Sequence, residues 1–122
     1  MDFTERKAQV KSYLGKVVKI GIDRPVGYVH KKENYSLTYP INYGYIPGVL
    51  GGDGEELDVY LLGVDEPVEE YTAKIIAIVH RHNDVEDKLV AALENMSFTK
   101  AEIEAAVHFQ EQYYDTEIEV FK

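Results

Sequence analysis

The alternation of apolar and polar positions predicts a chain built mainly of short β-strands. Strand-like runs occur at residues 16–22 ("KVVKIGI"), 57–63 ("LDVYLLG"), 71–81 ("YTAKIIAIVHR"), 88–93 ("KLVAAL") and 117–121 ("EIEVF"). In the second run, Leu57, Val59 and Leu61 fall on one face of an extended strand, and Asp58 and Tyr60 fall on the other. The pattern therefore predicts a sheet with one apolar face and a partly polar one.

Helical periodicity is clearest near the end of the chain. The stretch "SFTKAEIEAAVHFQEQYYD" predicts a helix over residues 99–115, opened by a capping box of Thr99 and Glu102. The residues that recur at helical spacing along it are Ile103, Ala106, Val107, Gln110, Tyr113 and Tyr114. A weaker pattern predicts a short helix within residues 2–14, with Phe3, Val10 and Leu14 as its apolar face. Many short strands followed by one good helix favour a small barrel or curled sheet with a helix packed outside.

Composition limits the classes of function. The chain has 122 residues and 45% hydrophobic residues, so we expect a single folded domain over residues 1–122. The absence of cysteine excludes disulfides, thiolate metal sites and thiol nucleophiles, and it suits the cytoplasm. No run approaches the ~20 apolar residues of a membrane span. The net charge of −9 argues against nucleic-acid binding and suits a protein that binds divalent cations, although solubility alone also explains it.

An acidic loop precedes the second predicted strand. The stretch "GGDGEELDVYLLG" contains Asp53, Glu55, Glu56 and Asp58, and Asp53-Gly54 signals a turn. Asp53, Glu55 and Asp58 can converge as oxygen ligands, which Mg²⁺ prefers, often together with a phosphate substrate. The spacing does not match an EF-hand. A solvated acidic turn without a ligand remains the alternative.

A second acidic turn strengthens the case for a metal–phosphate site. In "HNDVEDKLVA", Asp84, Glu86 and Asp87 precede Lys88 at the entrance of a strand. Two acidic turns that lead into strands can meet at one rim of a barrel, where cations neutralise phosphate oxygens. The basic candidates are Arg24, Lys31, Lys32, Arg81 and Lys88.

Tyrosines are concentrated just upstream of the first acidic loop. In "YSLTYPINYGYIPG", Tyr39, Ile41, Tyr43 and Tyr45 share one parity of a strand broken by Pro40. These side chains either fill the core or direct a hydroxyl toward phosphate or a metal-bound water. His80 and His82 lie at strand spacing, but a zinc site needs a third ligand that the sequence does not supply.

The order of these motifs resembles the family I soluble inorganic pyrophosphatases. "YPINYGYIPG" and "DGEELDV" resemble the core signature of that family, and "HNDVEDKLVA" and "HFQEQYYD" extend the resemblance over most of residues 20–115. The resemblance implies a small, curved, five-stranded OB-like β-barrel with a C-terminal helix and a short N-terminal helix outside. It also implies Mg²⁺-dependent hydrolysis of pyrophosphate with two or more metal ions. Bacterial relatives often assemble as oligomers, so the resemblance leaves open whether this chain forms a homo-oligomer.

The same resemblance assigns roles residue by residue. Asp53 and Asp58 correspond to metal-binding aspartates, and Glu55 corresponds to the aspartate that orients the attacking water and also borders the metals. The second acidic loop supplies metal ligands from Asp84 and from Glu86 or Asp87. Tyr43 and Lys88 correspond to active-centre residues that also bind substrate, and Tyr113 corresponds to a phosphate-binding tyrosine. In the family pattern, a phosphate-binding arginine lies close to the position of Lys31 or Lys32. Asp23 takes the place of an early glutamate of the family.

The chain also departs from the family pattern. Glutamate at position 55 extends the carboxylate by roughly 1.5 Å, and misplacement on that scale can cost ~10²-fold in rate. Glu56 replaces the signature proline, and Tyr114 replaces a lysine. Only thirteen residues separate Pro25 from Tyr39, which is too few for the hairpin that the family has there. Two alternatives therefore stay open: hydrolysis of another phosphoanhydride, and a non-catalytic protein that binds metal and phosphate.

Overall fold

The secondary structure follows the predicted order of elements. The computed structural model describes residues 3–51, 54–82 and 87–121. The elements are α1 (Phe3–Lys11), β1 (Val17–Arg24), β2 (Val29–Lys32), β3 (Tyr35–Thr38), β4 (Asn42–Leu50), β5 (Glu56–Leu62), β6 (Glu70–Arg81), β7 (Lys88–Ala92), α2 (Lys100–Glu111) and β8 (Thr116–Val120). All five strands predicted from the apolar runs are present.

Five strands close into a barrel in the order β1-β4-β5-β7-β6, because β6 pairs back onto β1. β6 is long enough to pair with two strands along one of its edges. Its first half pairs with β1, and its second half pairs with β8. β5 and β7 run parallel, and the other pairings described in this sheet are antiparallel. This closed mixed barrel with two helices confirms the predicted fold class.

Two hydrophobic cores follow from the alternation along the strands. Leu57, Val59 and Leu61 belong to the core inside the barrel. Tyr60 belongs to a second core between the outer face of the barrel and α2, together with Ile103 and Val107 of the helix. β7 is buried on both faces, which explains its continuous apolar sequence. Asp58 shares the face of Tyr60, so the strand directs it toward the α2 side of the barrel.

Two glycines allow the antiparallel neighbours β1 and β4 to lie very close together. A Cβ on Gly44 would lie 1.8 Å from the carbonyl oxygen of Gly21, which no side chain can tolerate. A Cβ on Gly21 would lie 2.7 Å from the ring of Tyr45. The two glycines therefore allow the close antiparallel pairing in which Gly21 lies opposite Tyr45 and Gly44 lies opposite Ile22.

The structure corrects two expectations. First, the segment between Pro25 and Tyr39 does contain a hairpin, β2–β3. Two four-residue strands joined by a two-residue turn at 33–34 need only ten residues, so the segment is long enough.

Second, the helix predicted over residues 99–115 ends at Glu111. The capping box of Thr99 and Glu102 is present as predicted. The chain then turns, because Asp115 must reach the edge of the sheet, where its carbonyl accepts a hydrogen bond from the amide of His82. Tyr113 and Tyr114 therefore lie beyond the helix and not on its inward face.

Candidate functional site

A pocket of about 740 Å³ lies between the outer face of the barrel, the β2–β3 hairpin and the C-terminal end of α2. Residues of the hairpin and of the turn after α2 both line it, and the ring centroids of Tyr35 and Tyr113 lie 6.4 Å apart. The lining residues are Asp23, Arg24, His30, Lys32, Tyr35, Leu37, Tyr39, Tyr43, Asp58, Arg81, Lys88, Gln110, Tyr113 and Tyr114. The lining thus carries four permanent cations and two carboxylates, although the chain as a whole carries a net charge of −9. The positive charges of the lining therefore favour an anionic ligand in this pocket, despite the negative charge of the whole chain.

Lys88 and Asp58 form an ion pair in the pocket wall. The Lys88 side chain is only 5% exposed, whereas that of Asp58 is 26% exposed, so the carboxylate remains open to the pocket. The ammonium nitrogen also lies 5.9 Å from the ring centroid of Tyr43. Burial raises the pKa of the Tyr43 hydroxyl far above its usual value, so this group stays protonated and acts as a hydrogen-bond donor.

Carboxylates cluster around Asp58. Burial raises the pKa of Asp23, and the neighbouring charges of Asp58 and Glu56 raise it further against the opposing effect of Arg24. Glu56 shares the strand face of Asp58, and its carboxylate accepts a hydrogen bond from the amide of Gly48 at 2.9 Å. Asp23 and Asp58 therefore bring negative charge beside the cations that line the pocket.

A chain of hydrogen bonds links two arginines of the pocket through α2. Arg24 donates to the hydroxyl of Tyr39 at 2.5 Å, and that hydroxyl donates to Gln110 Oε1 at 2.5 Å. Gln110 Nε2 donates to the hydroxyl of Tyr60 at 2.8 Å. The chain ends where the Tyr60 hydroxyl donates to Glu111, which in turn holds Arg81. Gln110 and Glu111, at the C-terminal end of α2, therefore link Arg24 and Arg81, which both line the pocket.

Several predicted site residues come together in this pocket: Lys32, Tyr43, Asp58, Lys88 and Tyr113 line it. Lys32 and His30 share the pocket face of β2, and Lys31 lies on the opposite face of that strand. Between the two lysines that the sequence left open, the geometry favours Lys32.

Other predicted residues lie elsewhere. Glu55 is exposed, directly before β5, and it is not among the lining residues. Asp87 is buried and is also not in the lining. Its carboxylate accepts a hydrogen bond from Lys7 at 2.7 Å and from the backbone amide of Arg81 at 3.1 Å, and it lies 3.5 Å from His80.

The remaining predicted site residues, Asp53, Asp84 and Glu86, lie outside the described residues. Within residues 3–51, 54–82 and 87–121, no three His, Asp or Glu side chains are close enough together to hold a metal ion. Of the two residues in the predicted turn Asp53-Gly54, the structure describes Gly54. Its φ of +85° is the positive value that such a turn requires.

Four residues of this region were not assigned a role from the sequence. Arg24 and Arg81 were only two of five basic candidates, and their pocket positions depend on contacts with tyrosines far away along the chain. Glu56 could have been found, because the alternation that places Asp58 on the outer face also places Glu56 there. Gln110 was predicted only as one of the positions at helical spacing, and its role as a link between two tyrosines has no sequence signal.

Comparison with known proteins agrees with this geometry. A family model described as inorganic pyrophosphatase matches residues 13–121. A soluble inorganic pyrophosphatase 2 of Chlamydomonas reinhardtii is 36% identical over 84 residues, covering 63% of this chain and 43% of the relative. An inorganic pyrophosphatase 2 of Pseudomonas syringae pv. tomato is 38% identical over 47 residues, covering 37% of this chain and 26% of the relative. The matches thus span less than half the length of these relatives.

Solved structures show the same fold at low identity. The inorganic pyrophosphatase of Ehrlichia chaffeensis aligns with a TM-score of 0.67 at 19% identity, covering 88% of each chain. That of Coxiella burnetii aligns with a TM-score of 0.64 at 18% identity, covering 89% of this chain and 87% of that chain. No helix in the described part of the chain is long and apolar enough to cross a membrane. The family match over nearly the whole chain, on a barrel whose pocket gathers the motif residues, shows that the chain belongs to the inorganic pyrophosphatase family.

Proposed function

We propose that this protein hydrolyses inorganic pyrophosphate to two orthophosphates in a Mg²⁺-dependent reaction. The observation that carries the proposal is the pocket itself. It combines the Lys88–Asp58 pair, whose carboxylate is open to the pocket, with three further cations in a chain of strongly acidic composition. Pyrophosphate is a small polyanion, and a pocket of this charge is suited to hold it. Family membership supports the same reaction. We place the activity in the cytoplasm, which the cysteine-free sequence suits.

Two or more Mg²⁺ ions would be held by Asp58 together with carboxylates of the two acidic loops. Asp58 and Asp23 line the pocket, and Glu56 lies close enough to raise the pKa of Asp23. We assign Asp53, Asp84 and Glu86 to the same metals from the sequence pattern. Asp87 is the weakest of the proposed ligands, because Lys7 and a backbone amide already bind its carboxylate. When bound, such metals lower the pKa of water and neutralise phosphate charge.

The remaining residues act on the substrate directly. The ammonium of Lys88 and the guanidinium of Arg24, which both line the pocket, offset charge on the phosphate oxygens. Tyr43 donates a hydrogen bond from a hydroxyl that burial keeps protonated. Lys32 and Tyr113 also line the pocket and complete the phosphate contacts. Glu55, at the entrance of β5, is the proposed group that aligns the attacking water.

The test is orthophosphate release from pyrophosphate with and without Mg²⁺. We expect turnover that requires the metal and falls at least ~100-fold in Asp58→Asn, because that carboxylate is open to the pocket. Lys32→Met and Lys31→Met form a matched pair on opposite faces of β2, and we expect the larger rise in KM from Lys32→Met. No release from pyrophosphate, combined with measurable binding of it, would instead identify a non-catalytic binding protein.

A further inference from the structure

A group of charged side chains fastens α1 to the barrel, apart from the residues that line the pocket. The ammonium of Lys7, in the middle of α1, donates a hydrogen bond to Asp87 Oδ2 at 2.7 Å and lies 3.2 Å from His80 Nδ1. The Asp87 side chain is fully buried, and that of Lys7 is 24% exposed. A buried carboxylate needs a compensating cation and hydrogen bonds, so the contact with Lys7 holds Asp87 in one place.

Asp87 links the ends of two strands that carry pocket cations. The described pairing of β6 with β7 ends at Val79 and Lys88. Beyond that pair, Asp87 Oδ1 accepts a hydrogen bond from the backbone amide of Arg81 at 3.1 Å, so this side chain extends the link between the strands. Lys88 directly follows Asp87 in the chain, and both Lys88 and Arg81 line the pocket. The Asp87 carboxylate therefore helps to fix where these two cations enter the pocket.

We propose that Lys7 is a positioning residue for the pocket: it holds Asp87, and through Asp87 it keeps Lys88 in place for a phosphate group. This inference rests on the proposed function, in which Lys88 offsets charge on the phosphate oxygens. Without the Lys7 ammonium, the buried carboxylate loses a hydrogen bond and its compensating charge, and it moves toward water. The start of β7 moves with it, and the ammonium of Lys88 no longer meets the phosphate at hydrogen-bond distance.

The first experiment measures the steady-state kinetics of pyrophosphate cleavage in Lys7→Met. We expect the KM to rise about tenfold with a smaller change in kcat, the size expected for one misplaced hydrogen bond to a charged group. A KM equal to that of wild type would overturn the proposal.

Two variants of the same helix serve as controls. Lys11→Met is matched in charge, because the Lys11 ammonium pairs with Glu119 at 3.4 Å and its side chain is 68% exposed. Val10→Ala is matched in stability, because Val10 is buried in the barrel core and its truncation loosens α1 without removing a contact of Asp87. Both should keep the wild-type KM. A rise in Val10→Ala as large as that in Lys7→Met would show that loosening α1 is sufficient, and it would overturn the proposal.

A double-mutant cycle tests whether Lys7 acts through Asp87. In the background of Asp87→Asn, Lys7→Met should raise the KM little further, because the carboxylate that Lys7 holds is already gone. Additive effects of the two substitutions on the KM would show that Lys7 acts by another route, and they would overturn the proposal.

Chemical labelling of Lys88 separates this inference from the proposed function. Reductive methylation followed by mass spectrometry measures how accessible each lysine amine is. Lys88 should be modified slowly in wild type and in Val10→Ala, because its side chain is only 5% exposed, and several-fold faster in Lys7→Met. Faster labelling in Lys7→Met of a protein that does not cleave pyrophosphate supports the positioning role and overturns the hydrolytic function. Cleavage of pyrophosphate with unchanged labelling and KM in Lys7→Met overturns only the positioning role.

Discussion

The guanidinium of Arg81 and the carboxylate of Glu111 form two parallel hydrogen bonds, Nε to Oε1 at 2.9 Å and Nη2 to Oε2 at 2.7 Å. Both side chains are 4% exposed. Arg81 ends β6 and Glu111 ends α2, so this pair fastens the helix to the barrel beside the pocket. The Cζ atom of Arg81 lies 3.7 Å from the ring centroid of Tyr114, so the guanidinium also contacts the turn after α2.

The first prediction concerns the stability of this pair. Glu111→Gln should lower the free energy of unfolding by about 3 kcal/mol, because it leaves the buried Arg81 without a compensating charge. The double variant Arg81→Met/Glu111→Leu should lose less than the single variant, since no buried charge remains. Urea denaturation measures both. Glu104→Gln, at an exposed position of the same helix, is the control and should stay close to wild type. A loss below about 1 kcal/mol in Glu111→Gln would contradict this account.

The second prediction concerns Lys88 and metal affinity. Its ammonium neutralises Asp58, so a cation that binds Asp58 must compete with it. Lys88→Met should therefore tighten Mg²⁺ binding several-fold while weakening pyrophosphate binding, since it removes positive charge from the pocket. Calorimetry with Mg²⁺ alone, and then with pyrophosphate, measures the two effects separately.

A matched control exists at the surface. Lys19 also pairs with a carboxylate, that of Glu70 at 3.1 Å, but both side chains are more than 60% exposed. Lys19→Met removes the same charge far from the pocket and should leave both affinities unchanged. Weaker Mg²⁺ binding in Lys88→Met would show that Lys88 supports the metal site, contrary to this prediction.

The third prediction uses the titration of Asp87. Burial alone would raise the pKa of this carboxyl, but hydrogen bonds from His80, Lys7 and the amide of Arg81 outweigh it and lower the pKa from 3.8 to about 2. A group with a lowered pKa stabilises the fold above its unfolded-state value and loses that contribution as pH falls through its folded-state value. Asp87→Asn should therefore cost about 2 kcal/mol near neutral pH. The difference from wild type should shrink between about pH 4 and pH 2.

Denaturation curves at several pH values test this prediction. Asp65→Asn, at an exposed position, is the control and should follow wild type throughout. A constant difference between wild type and Asp87→Asn across the acidic range would show that the stabilising effect of Asp87 is not electrostatic. Loss of Mg²⁺ binding in Asp87→Asn without loss of stability would support the metal role that the sequence assigned to it.

The strands and the start of α2 could be predicted because their signals are local. The period of two along β5 separated Leu57 and Val59 from Asp58, and the capping box fixed Thr99 as the residue before the helix. The end of the helix could not be predicted in this way. The residues after Glu111 keep a helical pattern, and the chain turns because β8 must pair with β6. Tertiary pairing decides that boundary, and no local pattern records it.

Site residues that lie in a single sequence motif could be predicted, whereas contacts between residues of two distant segments could not. Lys88, Asp58 and Tyr43 each lie in a recognisable motif, and the structure places all three in one pocket. Arg81 and Glu111 are 30 positions apart and belong to different elements. Their pairing depends on how α2 packs against β6, which the one-dimensional pattern does not contain.

The last prediction concerns which glutamate aligns the attacking water. The sequence pattern assigns this role to Glu55, which corresponds to an aspartate of the family. In the structure Glu55 is exposed at the entrance of β5, and the next residue, Glu56, is the one that shares the strand face of Asp58. Replacement of either carboxylate by its amide keeps the shape and removes the charge. The two neighbouring variants therefore control for each other.

We expect Glu55→Gln to lower turnover of pyrophosphate at least ~100-fold, because loss of the aligning charge misplaces the water. It should spare Mg²⁺ affinity more than Asp58→Asn does. Glu56→Gln should retain most of the turnover, because Glu56 already accepts a hydrogen bond from the amide of Gly48. The reverse order of losses would transfer the role to Glu56. Glu55→Asp then reports on the extra methylene. A faster variant indicates a site detuned by the longer side chain, and a slower one indicates a loop that has adapted to glutamate.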